Sequence, residues 1–293
     1  MKALYDLPAP AKLNLFLHIT GRRDDGYHLL QSAFMLIDWC DTMHVELRND
    51  GALSREDLTT PLPDEDLVLR AARALQPFAT PGQGAHIGVA KHIPTQAGMG
   101  GGSSDAATCL VALHRLWGLR MSLAQLEEIG LGLGADVPFF LRGHNAWVEG
   151  VGEQITPISI APSRFAVIKP SEGLDTRRIF AADELQRATP AAIISGFAAD
   201  DAAESEASLR MQMQRPFEFG HNDLQPVAQR LCPAVSEAIE WLGARGLQAR
   251  MTGSGSAVFA AMPHDVELGD PPKDWQLRQC SNLAAHPLVD WVA

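Results

Sequence analysis

Hydrophobic and polar residues alternate over residues 12–19, the first part of the chain with a regular pattern. Leucine or isoleucine occupies positions 13, 15, 17 and 19, whereas Lys12 and Asn14 lie in alternate positions. A period of two predicts a β-strand with one buried face. Strands are also predicted over residues 43–48, 86–93, 146–151 and 165–169.

Hydrophobic residues recur at helical spacing in four other segments. Helices are predicted over residues 66–78, 103–117, 122–133 and 223–243, the last with an interruption at Pro233. Residues 195–214 are rich in Ala, Asp, Glu and Met, and their pattern leaves helix and mobile segment both open.

Strands and helices interleave through short connections, so the sequence predicts an α+β protein. Its 293 residues are enough for two domains. The prolines at 157 and 162 favour a boundary that separates residues 1–158 from residues 159–293.

Composition and charge narrow the function classes. The formal net charge of −11 argues against nucleic acid or an anionic membrane as the main partner. The four cysteines form no CxxC pair, so neither a zinc site nor a disulfide framework is expected. No signal peptide and no apolar run of about 20 residues is visible. We therefore expect a soluble cytoplasmic protein, whose oligomeric state stays open.

A glycine-rich segment joins the predicted strand at 86–93 to the predicted helix at 103–117. Glycine lets the backbone adopt positive φ and approach a bulky anion, and a helix N-terminus offers unpaired N–H groups with partial positive charge. The segment therefore predicts a polyphosphate-binding loop. Serine hydroxyls at its end would add contacts to phosphate or magnesium. The residues concerned are Pro94, Gly98, Met99, Gly100, Gly101, Gly102, Ser103 and Ser104.

The alternative for this segment is a simple turn in which Ser103 or Ser104 caps the helix. Spacing excludes three other nucleotide-binding motifs. No lysine follows the glycines as a Walker A loop requires, and Ser103 stands where the dinucleotide fingerprint needs glycine. The protein-kinase sequences HRD and DFG are absent from the chain.

Lys12 and Asn14 are two residues apart on a predicted strand, so their side chains leave the same face. A lysine there is suited to contact a transferring phosphoryl group, with Asn14 orienting the substrate. The alternative is the exposed polar face of an amphipathic strand.

Asp136 follows a glycine-ended helix and precedes a proline and two phenylalanines. A carboxylate with little water around it is suited to accept a proton from an alcohol. The alternative is that Asp136 caps a short following helix with Pro138 in its first turn. The two hypotheses are compatible, because a cap also fixes the direction of a carboxylate.

A second glycine turn lies at 253–255, between a predicted strand at 248–252 and a strand or helix at 257–262. Its glycines would let the turn pack closely against the phosphate site. The alternative is an ordinary tight turn.

In this order and spacing, the four segments resemble the motifs of the GHMP kinases, from Pro8 to Phe259. The resemblance implies an ATP-binding domain like the second domain of ribosomal protein S5, followed by a ferredoxin-like substrate-binding domain. It implies ATP and Mg²⁺ as cofactors, Asp136 as the base and Lys12 as its electrostatic partner, with 94–104 around the phosphates. The loop differs from the family at Thr95, Gln96 and Ala97, which we expect to stiffen its beginning.

The segments at 9–15, 21–28, 134–140 and 149–153 resemble GHMP kinases that act on a cytidyl diphosphate substrate. The implied reaction is ATP-dependent phosphorylation of the tertiary 2-hydroxyl of a methylerythritol unit. The implied cytidine pocket is lined by Asn14, Tyr27, His28, Thr176 and Phe180, with Asp136 also contacting the substrate.

Two other hypotheses stay open at this point. One is another GHMP small-molecule kinase that resembles homoserine or mevalonate kinase and lacks the Tyr27–His28 cytidine clamp. The other is a catalytically silent nucleotide-binding protein on the same fold, against which the presence of both Lys12 and Asp136 argues.

Overall fold

The computed structural model describes residues 2–192, 217–263 and 266–292. Within these ranges the chain forms two sheets with helices packed against each. The prediction left open for 195–214 falls outside the described residues. No helix in the described part of the chain combines the length and the apolar character needed to cross a bilayer.

The first sheet is built around two long strands that pair antiparallel along most of their length. Among the described residues the sheet consists of β1 (Ala3–Arg22), β2 (His28–Arg48), β3 (Leu53–Asp57), β4 (Gly84–Ala90), β5 (Ala146–Gly150) and β6 (Gln154–Pro157). The two long strands are β1 and β2. Strand β2 also pairs with β4 and β5, while β3 pairs parallel with β4 and β6 pairs with β5.

Helices cover one face of this sheet, and their apolar sides form a shared core with it. They are α1 (Leu67–Leu75), extended by a 3₁₀ turn (Gln76–Phe78), α2 (Gly101–Trp117), α3 (Leu123–Leu133) and α4 (Val137–Arg142). Ser122 caps α3 through a capping box with Gln125. Asp66 caps α1, its side chain accepting from the Leu69 N–H at 3.0 Å.

The described part of the second half of the chain contains β7 (Arg164–Lys169), α5 (Thr176–Phe180), α6 (Gln225–Leu231), α7 (Ala234–Gly243), β8 (Ala249–Met251), β9 (Val258–Ala261), β10 (Gln276–Ser281) and a 3₁₀ turn (Val289–Trp291). Its four strands form the second sheet, which is antiparallel in the order β10-β7-β9-β8. Residues 158–163 join the two sheets, near the boundary predicted after residue 158, and that division of the chain stays a prediction.

Two expectations about the elements were wrong. The strand at 12–19 is buried on both faces, because helices and cavity-lining groups cover one face and the second sheet covers the other. Leu13 packs in the cluster that includes Phe165 and Phe259 of the second sheet. Helix α2 begins at Gly101 rather than at Ser103, because Gly100 adopts φ of 70° and serves as the N-cap without a side chain.

Candidate active site

A cavity of about 1660 Å³ is lined by residues from both halves of the chain. With the exception of Ser104, every site residue predicted from the sequence lies on its wall. These are Lys12, Asn14, Tyr27, His28, Pro94, Gly98, Met99, Gly100, Gly101, Gly102, Ser103, Asp136, Thr176 and Phe180. Ser104 is completely buried behind the loop. The individual roles of these residues stay predictions.

Hydrogen bonds from both halves of the chain hold the glycine loop, residues 94–100. The Lys12 N–H donates to the Met99 carbonyl at 3.0 Å, and the Ser256 N–H donates to the Gln96 carbonyl at 3.1 Å. Gly98 and Gly100 adopt φ of 71° and 70°, the left-handed region that favours glycine. The loop therefore stands in a defined shape at the start of α2, whose first turn has no side-chain cap.

The second glycine turn packs directly on this loop, as predicted. A Cβ at Gly98 would lie 2.3 Å from the Thr252 carbonyl oxygen, and one at Gly253 would lie 2.5 Å from the Gly98 carbonyl oxygen. Only glycine allows two backbones to approach this closely. The second half of the chain thus sets the position of the glycine loop.

Gln96, one of the three loop residues that depart from the family pattern, makes a contact of its own. Gln96 has φ of 51°, and its side chain lies against Gly173, where a Cβ would be 2.1 Å from the Gln96 Oε1. This contact ties the beginning of the loop to the second half of the chain, and its effect on nucleotide binding stays a prediction.

A buried ion-pair network lies beneath the start of α2. The Lys91 ammonium contacts the carboxylates of Asp41 and Asp105, and Asp41 also accepts from the Ile93 N–H at 2.8 Å. Burial, opposed by Lys91, raises the pKa of Asp105 to about 7. The network joins β2, the end of β4 and α2, so it holds in place the two elements that the glycine loop connects. Sequence reasoning missed it, because its three members are far apart in the chain.

Lys12 and Asp136 meet at the end of the cavity nearest the glycine loop. The Lys12 Nζ lies 3.6 Å from the Asp136 Oδ2 and 4.5 Å from the centre of the Phe34 ring. Lys12 is buried, and burial lowers its pKa, although the Asp136 charge opposes this shift. As predicted, Asn14 shares a face with Lys12, and its Oδ1 accepts from the ammonium.

Two expectations about Asp136 need correction. Its side chain is 31% exposed, so water reaches it, because the carboxylate faces the open cavity rather than the neighbouring phenylalanines. It occupies the N-cap position of α4, but its side chain makes no capping hydrogen bond. The carboxylate is directed to Lys12 instead. Its surroundings suit a base that receives a proton and passes it to solvent.

Two rings on the cavity wall lie close enough together for a planar base to contact both. The His28 and Phe180 ring centres are 5.0 Å apart with 34° between their planes. The Arg187 Nε–H donates to the His28 Nε2 at 3.3 Å, which places the histidine proton on Nδ1. Burial and the charges of Arg187 and Arg22 lower the pKa of His28, so the ring is neutral.

Tyr27, next to His28 in the chain, and Thr176, on the same helix as Phe180, also line the cavity. Tyr27 is 66% exposed at its rim. The Thr176 hydroxyl lies 2.6 Å from the Ser254 hydroxyl, next to the second glycine turn. Arg187 was missed from the sequence, because a single arginine in a loop with several acidic neighbours has no distinguishing pattern.

The fold and the site together define a small-molecule kinase of the GHMP class. Family models for the N terminal and C terminal domains of GHMP kinases match residues 66–144 and 202–268. A curated relative from Variovorax paradoxus, named 4-diphosphocytidyl-2-C-methyl-D-erythritol kinase, is 71% identical over 100% of both chains. One of the same name from Paracidovorax citrulli is 61% identical, over 100% of this chain and 99% of its own. This chain belongs to the 4-diphosphocytidyl-2-C-methyl-D-erythritol kinase family.

Solved structures agree with this assignment. A crystal structure of 4-(cytidine 5'-diphospho)-2C-methyl-D-erythritol kinase is 31% identical, with a TM-score of 0.72 over 94% of this chain and 98% of that one. The homoserine kinase of Cytophaga hutchinsonii has a TM-score of 0.68 over 98% of this chain and 96% of its own, at 14% identity. The second likeness shows the shared fold alone.

Proposed function

We propose that this protein is a cytoplasmic kinase that transfers the γ-phosphoryl group of ATP to the 2-hydroxyl of 4-diphosphocytidyl-2-C-methyl-D-erythritol. The observation that carries the proposal is a single cavity whose wall brings three groups together. They are the glycine loop, the Lys12–Asp136 pair beside it, and the His28–Phe180 ring pair. The names of the relatives support the choice of acceptor.

In the proposed mechanism, Asp136 accepts the proton of the 2-hydroxyl as that oxygen attacks the γ-phosphorus. The new O–P bond forms as the bond to the β-phosphate oxygen breaks, which gives the 2-phosphate and ADP. Lys12 neutralises charge that builds on the transferring group. The exposed side of Asp136 then releases the proton to water.

Magnesium is part of the proposal, because phosphoryl transfer needs neutralisation of phosphate charge. The described residues contain no cluster of three or more His, Cys, Asp or Glu side chains placed to hold a metal. We therefore propose that the ion would be held mainly by the ATP phosphates. Ser103, at the start of α2 and on the cavity wall, would add a hydroxyl contact.

A direct assay tests the proposed acceptor. Purified protein with Mg-ATP should phosphorylate 4-diphosphocytidyl-2-C-methyl-D-erythritol, with the 2-phosphate identified by ³¹P NMR, and should leave homoserine and mevalonate unmodified. Strong activity on an alcohol without cytidine would overturn the acceptor. Nucleotide binding without phosphorylation of any of the three would favour a silent nucleotide-binding protein.

Phe180→Leu should raise the KM for the cytidyl substrate about 5- to 150-fold, because stacking on an aromatic ring contributes about 1–3 kcal/mol per base. The KM for ATP should stay within about twofold, since the ring contact described for Phe180 is with His28 and not with the glycine loop. Phe78→Leu is the matched control, because Phe78 is exposed and away from the cavity wall. An equal rise in both KM values would contradict a role of Phe180 that is specific to the cytidine base.

The pH profile should show the ionisation of Lys12. Burial lowers the pKa of Lys12, so kcat/KM for ATP, which reports the free enzyme, should fall on the alkaline side below the ordinary lysine pKa of about 10.4. The direction follows from the need for a charged ammonium, which is lost as pH rises. A Lys12→Arg variant keeps its charge in this range, so whatever activity it has should lack this limb. Persistence of the limb in that variant would assign it to another group.

A further inference from the structure

A chain of hydrogen bonds leads from the main chain of β1 through Ser32 and Asn14 to Lys12. The Ser32 hydroxyl donates to the Phe16 carbonyl, and the Asn14 Nδ2 donates to the Ser32 Oγ at 2.9 Å. The Lys12 ammonium donates to the Asn14 Oδ1. Ser32 and Asn14 are both 1% exposed, so water does not compete for these bonds.

The donors and acceptors in this series of hydrogen bonds have only one consistent arrangement. A carbonyl oxygen can only accept, so the single hydroxyl proton of Ser32 is used on Phe16. The Ser32 oxygen must then accept, and it selects the NH₂ end of the Asn14 amide. The carbonyl end of Asn14 therefore points to Lys12. With the amide reversed, two donors would face each other at the ammonium.

Two strands make the arrangement rigid. Ser32 lies on β2, where it is opposite Leu17 of β1 and Val148 of β5. The main-chain N–H of Asn14 donates to the Thr252 hydroxyl at 2.8 Å, which holds Asn14 from the second half of the chain. The acceptor offered to Lys12 is thus fixed before any ligand binds.

We propose that Ser32 is a positioning residue for the phosphoryl transfer: by fixing the orientation of the Asn14 amide, it holds the Lys12 ammonium beside Asp136. The proposal rests on the role given to Lys12 under the proposed function, and it gives Asn14 a task besides substrate contact. Removal of the hydroxyl frees the amide to rotate and leaves the ammonium without a defined acceptor.

Two other roles for Ser32 make different predictions. A merely structural role would lower stability and leave the turnover of folded enzyme unchanged. Ser32 also lies on the cavity wall. A role in direct substrate contact would raise the KM of the acceptor when the hydroxyl is lost. The proposed role affects kcat through Asn14 and leaves both KM values nearly unchanged.

The test is a double-mutant cycle with Ser32→Ala and Asn14→Ala. Ser32→Ala should lower kcat about tenfold, the effect of a lost positioning hydrogen bond, with both KM values within about twofold. In the Asn14→Ala background the same change should alter kcat less than about twofold, because the amide through which Ser32 acts is gone. Thr189→Val is the control, since it also loses a buried hydroxyl, one bonded to Asp223 at 2.7 Å, outside the cavity wall.

A measurement that needs no turnover completes the test. In the protein without ligands, ¹³C NMR of the Lys12 Cε should show titration at lower pH in Ser32→Ala than in the parent protein. Loss of an acceptor disfavours the charged ammonium, while Asp136, the charged group 3.6 Å away, is retained. Thr189→Val should leave this titration unchanged.

The outcomes separate the two proposals. An inactive parent protein would overturn the proposed function, and the NMR titration would still decide the task of Ser32. An active parent with unchanged kcat in Ser32→Ala, an equal loss in the Asn14→Ala background, or a change confined to the acceptor KM would each overturn the positioning role.

Discussion

Asp136→Asn should lower kcat roughly 10²–10⁴-fold, the contribution typical of a positioned general base. Asparagine keeps the size of the side chain, and α4 should still form because the Asp136 side chain makes no capping hydrogen bond. The amide cannot accept the hydroxyl proton, and it brings a neutral group to within 3.6 Å of Lys12 in place of a carboxylate. The KM for ATP should stay nearly unchanged, because the ion-pair partner of Asp136 is Lys12 and not a residue of the glycine loop.

Steady-state kinetics with both substrates and a thermal melt would check this expectation. Asp274→Asn is the matched control, since it makes the same chemical change at an exposed position away from the cavity wall. Unchanged turnover in Asp136→Asn would remove Asp136 from the mechanism. If the loss of activity came from unfolding, the melting temperature of Asp136→Asn would fall strongly while that of the control stayed unchanged.

Gly98→Ala should lower kcat/KM for ATP about 100-fold, because a displacement of about 1 Å at a positioned site costs that much. The new methyl would lie 2.3 Å from the Thr252 carbonyl oxygen and 2.8 Å from the Gly255 nitrogen, and both are main-chain atoms. The φ of 71° adds strain of about 1 kcal/mol for an alanine. Either the phosphate loop or the second glycine turn must therefore move.

Nucleotide binding measured by calorimetry, together with the kinetics, would show whether the loop has moved. Gly243→Ala provides the comparison, because it makes the same change at the end of α7, where a Cβ would meet nothing within 4 Å. That control should keep the activity of the parent protein. Wild-type ATP affinity in Gly98→Ala would show that the close contact between the two turns is not needed to shape the loop.

Local features of the site could be predicted from the sequence because they depend on neighbours in the chain. The period of two placed Lys12 and Asn14 on one face, and the hydrogen bond between them agrees with this. The glycines at 98 and 100 predicted positive φ, which both adopt. The exact start of α2 was not predictable, because Gly100 and Ser103 are each acceptable at a helix N-terminus.

Burial and direction depended on parts of the chain that local sequence does not include. The polar face of β1 was open to interpretation as an exposed surface, yet Lys12 is buried because the other elements close over it. Asp136 was expected among phenylalanines with little water, and the backbone instead directs it to the cavity. Ser32 and Arg187 had no signal at all, since their importance lies in single hydrogen bonds to Asn14 and His28.

The sequence by itself determined the α+β class, the glycine loop before a helix and the residues suited to kinase chemistry, because periodicity and glycine conformation act over a few neighbouring residues. The tertiary structure alone decided that Lys12 is buried, that the Asp136 carboxylate is partly exposed to the cavity, and that the amide of Asn14 has one orientation. These depend on contacts between residues up to 238 positions apart, as in the bond from Asn14 to Thr252. Packing of the two sheets creates such contacts, and no local pattern contains them.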